Sequence, residues 1–429
     1  MVKEGYKQTE IGVIPEDWDI AQIDIVFKFL TTATHSRAKL NENGDINYIH
    51  YGDIHTKFKH ILDFSIENLP KISIENAQGF PLLQNGDVII ADASEDNEGV
   101  CKTVEIKNIN NKKAISGLHT FLLRDVKNNF VNGFKGYIFA SSILRKQFLK
   151  LATGMKVFGV SKNNLKIVYI LVPPKPEQKA IATALSDIDN LINSLEQLIA
   201  KKEAIKKATM QQLLTGKKRL KGFNGEWEEK KLGEIGKFKT SSVDKTVNED
   251  EKIVKLVNYM DVYKNKHLNK KYNFSVTSMK KEDISKVSLN KGDILFTPSS
   301  ETPDDIGHSS VIIENLPNTV YSYHLIRLRP KKNLDIKFSG YIFNNYMVLK
   351  QFSERATGST RFTLSIKDFN ETVALLPPLE EQKAIAKILS DMDKEIEVLK
   401  SKLDKSKAIK TGMMQELLSG RVRLNKGNN

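Results

Sequence analysis

Residues 173–220 read PPKPEQKAIATALSDIDNLINSLEQLIAKKEAIKKATMQQLLTGKKRL, and residues 377–424 read PPLEEQKAIAKILSDMDKEIEVLKSKLDKSKAIKTGMMQELLSGRVRL. The second stretch repeats the first at an offset of 204 residues without a gap, and 25 of the 48 positions are identical. Chance does not produce that match. Each copy opens on Pro-Pro, which is pre-set for the first turn of a helix. Apolar residues then alternate at spacings of four and three: Ile181, Leu185, Ile188, Ile192, Leu195 and Ile199 in the first copy, and Ile385, Leu389, Met392, Ile396, Leu399 and Leu403 in the second. That is the seam of a coiled coil, and it predicts packing surface. Lys202 and Ser406 interrupt the seam, which resumes through Ile205, Ala208 and Leu213 and through Ile409, Met413 and Leu417, until Gly216 and Gly420 stop the helices. At about 1.5 Å per residue, about 40 helical residues make rods on the order of 60 Å.

The duplication extends upstream. GYIFASSILRKQFLKLATG (136–154) aligns with GYIFNNYMVLKQFSERATG (340–358) at the same offset. Further back the offset drifts: Gly86-Asp87-Val88-Ile89 answers Gly292-Asp293-Ile294-Leu295, GLHTFLLR (117–124) answers SYHLIRLR (322–329), and Trp18 answers Trp227. The chain therefore divides into a first variable unit with its N-terminal segment (1–172), a first helical segment (173–221), a second variable unit (222–376), and a second helical segment with the tail (377–429). The helices match while the globular parts diverge, as expected of one scaffold presenting two different binding surfaces.

Both variable units read as mixed α/β. INYIHYGDI (46–54) and KIVKLVNYMDV (252–262) have strand character, Gly-Asp turns precede DVII (87–90) and DILF (293–296), and one short helix is expected at 136–150 and another at 340–354. Only Lys217 to Trp227 separates the first helix from the second unit. If the two seams bury each other, the helices must run antiparallel, each unit sitting at the start of its own helix. The expected fold is thus two α/β (mixed α+β) domains separated by an antiparallel coiled coil, pseudo-twofold and nearly circular, with the end of the second helix returning to the start of the first unit.

Composition narrows the class. The 429 residues carry 66 basic and 52 acidic side chains, a net charge of +14, but the four segments contribute only +2, +5, +4 and +3. No basic tail or polybasic block exists, so charge alone does not establish a polyanionic partner. The single cysteine, Cys101, precludes a disulfide framework and a thiolate metal cluster and fits a reducing compartment. The start, MVKEGYKQTEIGVIPEDWD, has no apolar core and is not expected to be a signal peptide. No run approaches the roughly 18 apolar residues of a membrane span.

The sequence carries no convincing catalytic pattern. No G-x-G-x-x-G and no Walker A lysine motif occurs. The Pro-Pro pairs follow Val172 and Leu376, so they lack the Asn or Asp that grips a target amine in an adenine methyltransferase. Pro303-Asp304-Asp305 could begin a nuclease carboxylate motif, but no E-x-K follows at Glu314 and the first unit has no counterpart. His50, His55 and His60 are five apart, which matches neither face of a strand nor of a helix, and Cys101 has no evident base partner.

Several features together resemble one family: two copies of PP-x-x-EQ-K-A-I-A, long helices ending QQLLTG (211–216) or QELLSG (415–420), Ile14-Pro15 and Trp18 ahead of the first unit, and an ATG turn (152–154, 356–358) about 20 residues before each Pro-Pro pair. This pattern resembles the specificity subunit of type I restriction-modification enzymes over essentially the whole chain. The resemblance implies that each variable unit is a target recognition domain reading one half of a bipartite, asymmetric DNA sequence. It implies that the helices fix the spacer and dock two methyltransferase subunits, which use S-adenosylmethionine and methylate adenine N6. Motor-nuclease subunits would use ATP and Mg and cut the DNA, leaving the specificity subunit without catalytic residues, cofactor or metal, in the cytoplasm of a bacterium or archaeon. A separation on the order of one DNA turn, roughly 34–36 Å, suits such a two-headed reader. Loop side chains should make the contacts. In the first unit the candidates are His35, Ser36, Arg37, Lys39, Tyr51, His55, Lys57, Lys59, Lys156 and Lys162; in the second they are Lys239, Ser241, Ser242, Tyr259, Tyr263, Lys264, Lys266, His267, Arg361 and Lys367. Arg37 and Arg361 are favoured because arginine can grip guanine bidentately. The competing readings are a coiled-coil adaptor that binds only protein, and the recognition part of a fused restriction-methylation enzyme.

Overall fold

A computed structural model describes residues 3–331 and 334–424. Its contacts divide the chain into two units, residues 1–196 with 402–429 and residues 197–401. The long helices, Lys175–Leu213 and Leu379–Leu417, each contribute one part to each unit.

The two units share one topology. In unit 1 a five-stranded sheet runs in the order Lys28–Leu30, Thr120–Arg124, Val88–Ala91, Thr103–Lys107, Ile61–Asp63, antiparallel except for the last, parallel pair. In unit 2 the order is Gly236–Thr240, Ile326–Pro330, Ile294–Phe296, Ser309–Ile312, His267–Leu268, with the same directions. A three-stranded sheet accompanies each: Ile46–Ile49 between Ala114–Ser116 and Lys71–Ile72, and Lys252–Val257 between Thr319–Tyr321 and Ser275–Met279. Two-residue ladders, Ala93–Ser94 with Phe158–Gly159 and Ser299–Ser300 with Phe362–Thr363, tie the ATG loop of each unit to the strand leaving its main sheet. Sequences that have drifted this far keep one topology because strand faces require only apolar character, and Val88–Ala91 and Ile294–Phe296 are buried throughout.

Two expectations change in detail. INYIHYGDI and KIVKLVNYMDV are not strands throughout. The strands stop at Ile49 and Val257, and short helices Tyr51–Thr56 and Tyr259–Lys264 follow. His50 and Asn258 are the N-caps: the His50 ring accepts from the Gly52 amide, and Asp261 at the third helical position accepts from the Asn258 amide. The single helices expected at 136–150 and 340–354 are pairs, Lys135–Ile138 with Ser142–Leu151 and Ile336–Ile342 with Tyr346–Arg355. Ser141 and Asn345 break them because their side chains accept amide hydrogens of the next turn.

The helices lie antiparallel within each unit. In unit 1 Lys410 pairs with Asp189 at 2.6 Å and Lys407 with Glu196 at 2.8 Å, so one index falls as the other rises. In unit 2 Lys206 pairs with Asp393, and Lys202 with Glu395 at 2.7 Å. Of the twelve seam residues, Ile181, Leu185, Ile192, Leu195, Ile199, Ile385, Leu389 and Ile396 are buried and the other four are half-buried. Each buried Leu or Ile contributes about 1.5–3 kcal/mol. The expected resumption at Ile205, Ala208 and Ile409 does not occur, since all three are exposed. Lys202 at the break turns instead to Glu395, and Ser406 is buried with its hydroxyl donating to the Lys402 carbonyl. The helix ends rejoin the cores: Leu417 and Leu418 pack with Ile181 and Leu185 around Trp18, and Leu213 and Leu214 with Ile385 and Leu389.

The PP-x-x-EQ motif explains itself at these joints. Glu177 is buried and accepts from Trp18 Nε1 at 2.8 Å and from Arg423 at 2.6 and 2.7 Å; Arg423 also grips Asp17 at 2.8 and 2.7 Å. Glu381 accepts from Trp227 Nε1 at 3.0 Å and from Arg219 twice at 2.7 Å. The neighbouring glutamines donate to the Pro173 and Pro377 carbonyls and accept the amides of Val131 and Asp335, fastening each helix start to its α/β domain. With Tyr6 donating to the Gly420 carbonyl at 3.0 Å, the end of the second helix closes on the N-terminal segment, as a circular organisation requires.

Candidate nucleic-acid interface

Each unit gathers aromatic and basic side chains where the capped short helix, the two-residue ladder and the ATG loop meet. In unit 1 the Tyr51 ring is flanked by His50, His119 and His55 at centroid distances of 4.7, 5.2 and 6.1 Å. His55 Nε2 meets the Ala93 carbonyl at 2.8 Å, and His119 Nδ1 meets Asp92 at 3.2 Å. Beneath them the buried Asp53 carboxylate lies 3.1 Å from Arg37 Nη2 and 3.0 Å from Lys57 Nζ. Neither of its oxygens has an aligned hydrogen bond, so these are charge contacts that tether two exposed cations. Burial first, and then the Arg37 charge, hold the His50 pKa below that of a free imidazole.

In unit 2 Tyr259 stacks on Tyr263 at 6.0 Å, and Tyr263 meets His308 edge-on at 5.0 Å. Tyr259 donates to the Ser299 carbonyl and Tyr263 to Asp305, each at 2.9 Å. Arg361, on the ATG loop, donates to Ser299 Oγ at 3.1 Å and leaves most of its fork exposed. The bond to Asp305 raises the Tyr263 pKa, while burial and then the Arg361 charge lower that of His324. The ATG loops have matching geometry. Gly154 (φ +136) and Gly358 (φ +144) sit where a Cβ would meet the carbonyl oxygen of Val157 or Arg361 at 1.9 or 2.0 Å, so only glycine fits.

The structure thus brings together Arg37, Tyr51, His55, Lys57 and the loop bearing Lys156 in unit 1, and Tyr259, Tyr263 and Arg361 in unit 2. Lys264 is exposed on the same short helix as Tyr259 and Tyr263. Others go elsewhere. His35 turns to the Asn76 carbonyl, Ser36 and Lys39 flank an exposed turn, and Lys162 lies over the Phe29 ring. Lys239 donates to the Lys286 carbonyl, Ser241 closes a local turn, Ser242 is exposed, and Lys367 lies on the exposed side of Ile366–Glu371. Three candidates face the helices, contrary to their reading as loop contacts. Lys59 reaches Asn193, Lys266 lies near Met210 and the Tyr341 ring, and His267 packs on Tyr341. They follow the short helix by a few residues, and the chain has by then turned into the parallel edge strand. Residue type alone missed His119, His324 and Met155. The two histidines are matched positions in GLHTFLLR and SYHLIRLR, and that match was the available signal. Met155 is a 96% exposed apolar side chain on an ATG loop.

Of the three spaced histidines, His50 caps a helix, His55 bonds backbone, and His60 packs on Tyr137. Among the described residues no group of three or more His, Cys, Asp or Glu is placed to hold a metal ion, and no helix is long and apolar enough to cross a membrane. Cys101 is buried, and burial pushes its thiol up to about 12.

The chain is thus of the class built from two copies of one α/β domain, each fastened to a long helix and each carrying a differently furnished loop cluster. The family model described as the type I restriction modification DNA specificity domain matches residues 15–207 and 224–407. The chain belongs to this family of DNA specificity subunits. Similar proteins include the putative type I restriction enzyme MjaX specificity subunit of Methanocaldococcus jannaschii, 26% identical over 98% of this chain and 97% of that one. The EcoKI specificity subunit of Escherichia coli is 22% identical over 95% and 89%. The fold is similar to the S subunit of a type I restriction-modification system from M. genitalium, with a TM-score of 0.53, 17% identity and coverage of 93% and 96%. It is also similar to a chain from a structural study of complex assembly and conformational transition in the type I R-M system, with a TM-score of 0.56, 16% identity and coverage of 95% and 99%.

Proposed function

We propose that the loop cluster of each unit reads one half of a bipartite, asymmetric double-stranded DNA target. The single observation that carries this reading is the combination of equal topology with unequal furnishing. Matched positions hold Tyr51 and Tyr259, but also His55 against Tyr263 and an ATG loop bearing Met155 and Lys156 against one bearing Ser359 and Arg361. Different donors and acceptors on one framework select different bases, so the two half-sites differ. The helices set the spacer between half-sites and dock two methyltransferase subunits, which carry S-adenosylmethionine and methylate adenine N6. Motor-nuclease subunits using ATP and Mg complete the restriction complex, the present chain supplies no catalytic group, and the assembly works in the cytoplasm.

Methylome sequencing of cells with and without the gene, together with its partner genes, tests the reading. One bipartite adenine-methylated motif should appear only when the gene is present. Exchanging residues 20–172 for the same region of another family member should change one half-site only, and a change in both or neither rejects the modular assignment. Adding one heptad to each helix should lengthen the spacer, and an unaltered spacer rejects the ruler. DNA affinity should fall steeply with salt; a protein-only adaptor shows no DNA binding at any salt.

A further inference from the structure

Unit 2 holds a cavity of about 630 Å³ between the last turns of the first long helix, the middle turns of the second, and the helix Tyr346–Arg355. That volume lies within the roughly 300–1,000 Å³ of small-molecule sites. Met210, Leu349 and Ile396 supply apolar wall, and Lys206, Lys266 and Lys400 supply cations.

The internal repeat shows what this place lacks. Lys59 and Lys266 correspond, each preceding a histidine packed on a matched tyrosine, His60 on Tyr137 at 5.4 Å and His267 on Tyr341 at 4.9 Å. Glu196 and Lys400 correspond at the offset of 204. In unit 1 Glu196 meets Lys407 at 2.8 Å and Lys59 at 3.9 Å. In unit 2 the polarity is exchanged: Lys400 meets Glu203 at 2.7 Å, and the place of the carboxylate that met Lys59 is taken by an ammonium lining the same cavity as Lys266. Lys266 Nζ is left 3.5 Å from Met210 Sδ and 5.6 Å from the centre of the Tyr341 ring, neither of them an anion. Asp393 is taken by Lys206 and by the Tyr341 hydroxyl at 2.7 Å.

We propose that this cavity binds a small organic anion, a carboxylate or phosphate monoester on a short apolar stem, with Lys266 and Lys400 holding the anionic head and Met210, Leu349 and Ile396 the stem. The inference does not depend on DNA reading. Burial, followed by the Lys206 charge, brings Lys266 down to about 8 while Asp393 opposes the shift. A bound anion raises that value. Affinity is therefore highest below pH 8 and declines as Lys266 loses its proton, with Lys207, Glu203 and His267 as the other titratable groups nearby.

Calorimetry on the full chain with hexanoate, butyl phosphate and butanol tests the site. The expected result is saturable one-to-one binding of hexanoate or butyl phosphate and none of butanol, the stronger anion identifying the head group. Lys266→Met lowers affinity at least about tenfold, Lys266→Arg restores most of it, and Lys59→Met changes nothing. The double exchange Glu203→Lys with Lys400→Glu recreates the unit 1 polarity, gives Lys266 an internal carboxylate, and abolishes binding while the fold is retained. Absence of saturable anion binding, equal binding of butanol, or an affinity unmoved by Lys266→Met and by the double exchange overturns the proposal.

Discussion

Glu177 and Glu381 show how much one side chain can hold. Each is a buried carboxylate receiving an indole N–H and an arginine fork, and the arginine comes from the segment just past the end of the other long helix. Removing the acid strands the cation and the indole. Because the arginines remain 19% and 31% exposed, the cost is discounted for solvent screening. Glu177→Ala and Glu381→Ala should each cost about 2–3 kcal/mol in denaturant unfolding, and the glutamine variants less. His60 offers a signed pH test. Burial first, then Lys410, Lys102 and Lys59, hold it at about 4 against 6.5 when unfolded, and Asp189 opposes them only partly. Between those values the unfolded chain binds a proton that the folded one refuses. Stability therefore declines as pH falls from 6.5 towards 4, and His60→Phe should flatten that slope. At the proposed reading surface, Arg361→Ala should cost about 1–3 kcal/mol of DNA affinity and relax one half-site only, measured by binding to targets altered in either half.

At the scale of elements, the long helices were legible because their signal is periodic and repeated. Eight seam residues are buried at the spacing the sequence predicts. The resumption predicted at Ile205 and Ile409 fails, since both are exposed and apolar spacing does not register whether another segment covers a position. Strand character ran past its true end at 46–54 and 252–262, since His50 and Asn258 act through a side-chain bond to the next turn that apolar patterning does not register. The proposed reading surface was legible only as a list of residue types. Lys59 and Lys266 share composition with Lys57 and Lys264 and differ only in the side of the fold they reach. The helix stops separate two effects cleanly. Gly216 and Gly420 have φ near +70 and +72, but a Cβ on Gly420 would meet Pro15 at 2.5 Å, whereas on Gly216 the nearest neighbour is Trp227 at 3.5 Å. Gly216→Ala should cost about 1 kcal/mol from backbone strain alone. Gly420→Ala should cost about 1–3 kcal/mol more by overpacking, and thermal unfolding of the two variants should rank them in that order.

At the scale of the molecule, unit 1 is assembled from both ends of the chain, while unit 2 is continuous from residue 197 to 401. The same joint is nevertheless made in both. In unit 2, Arg219 and Trp227, 8 positions apart, reach Glu381; in unit 1, Arg423 and Trp18 reach Glu177 from opposite ends of the sequence. Joined head to tail, Arg423 and Trp18 would be 24 positions apart, a longer tether than unit 2 uses. Because closure entropy changes slowly with loop length, the position of the chain break should matter little, provided both joints are kept. A permutant that begins at Gly222, runs through Asn429 directly into Met1, and ends at Lys221 keeps every contact of both joints. It should unfold within about 1 kcal/mol of the parent and, supplied with the same partner subunits, direct methylation to the same sequence. The break must fall at a joint. Opening the chain instead within a long helix, between Ile192 and Leu195, cuts the seam and should lower stability by several kcal/mol, on the order of two buried aliphatic side chains. If the permutant opened at Gly222 unfolds as readily as the one opened in the helix, the joints around Glu177 and Glu381 do not make the fold circular, and continuity of the chain through residues 217–227 is what holds unit 2 together.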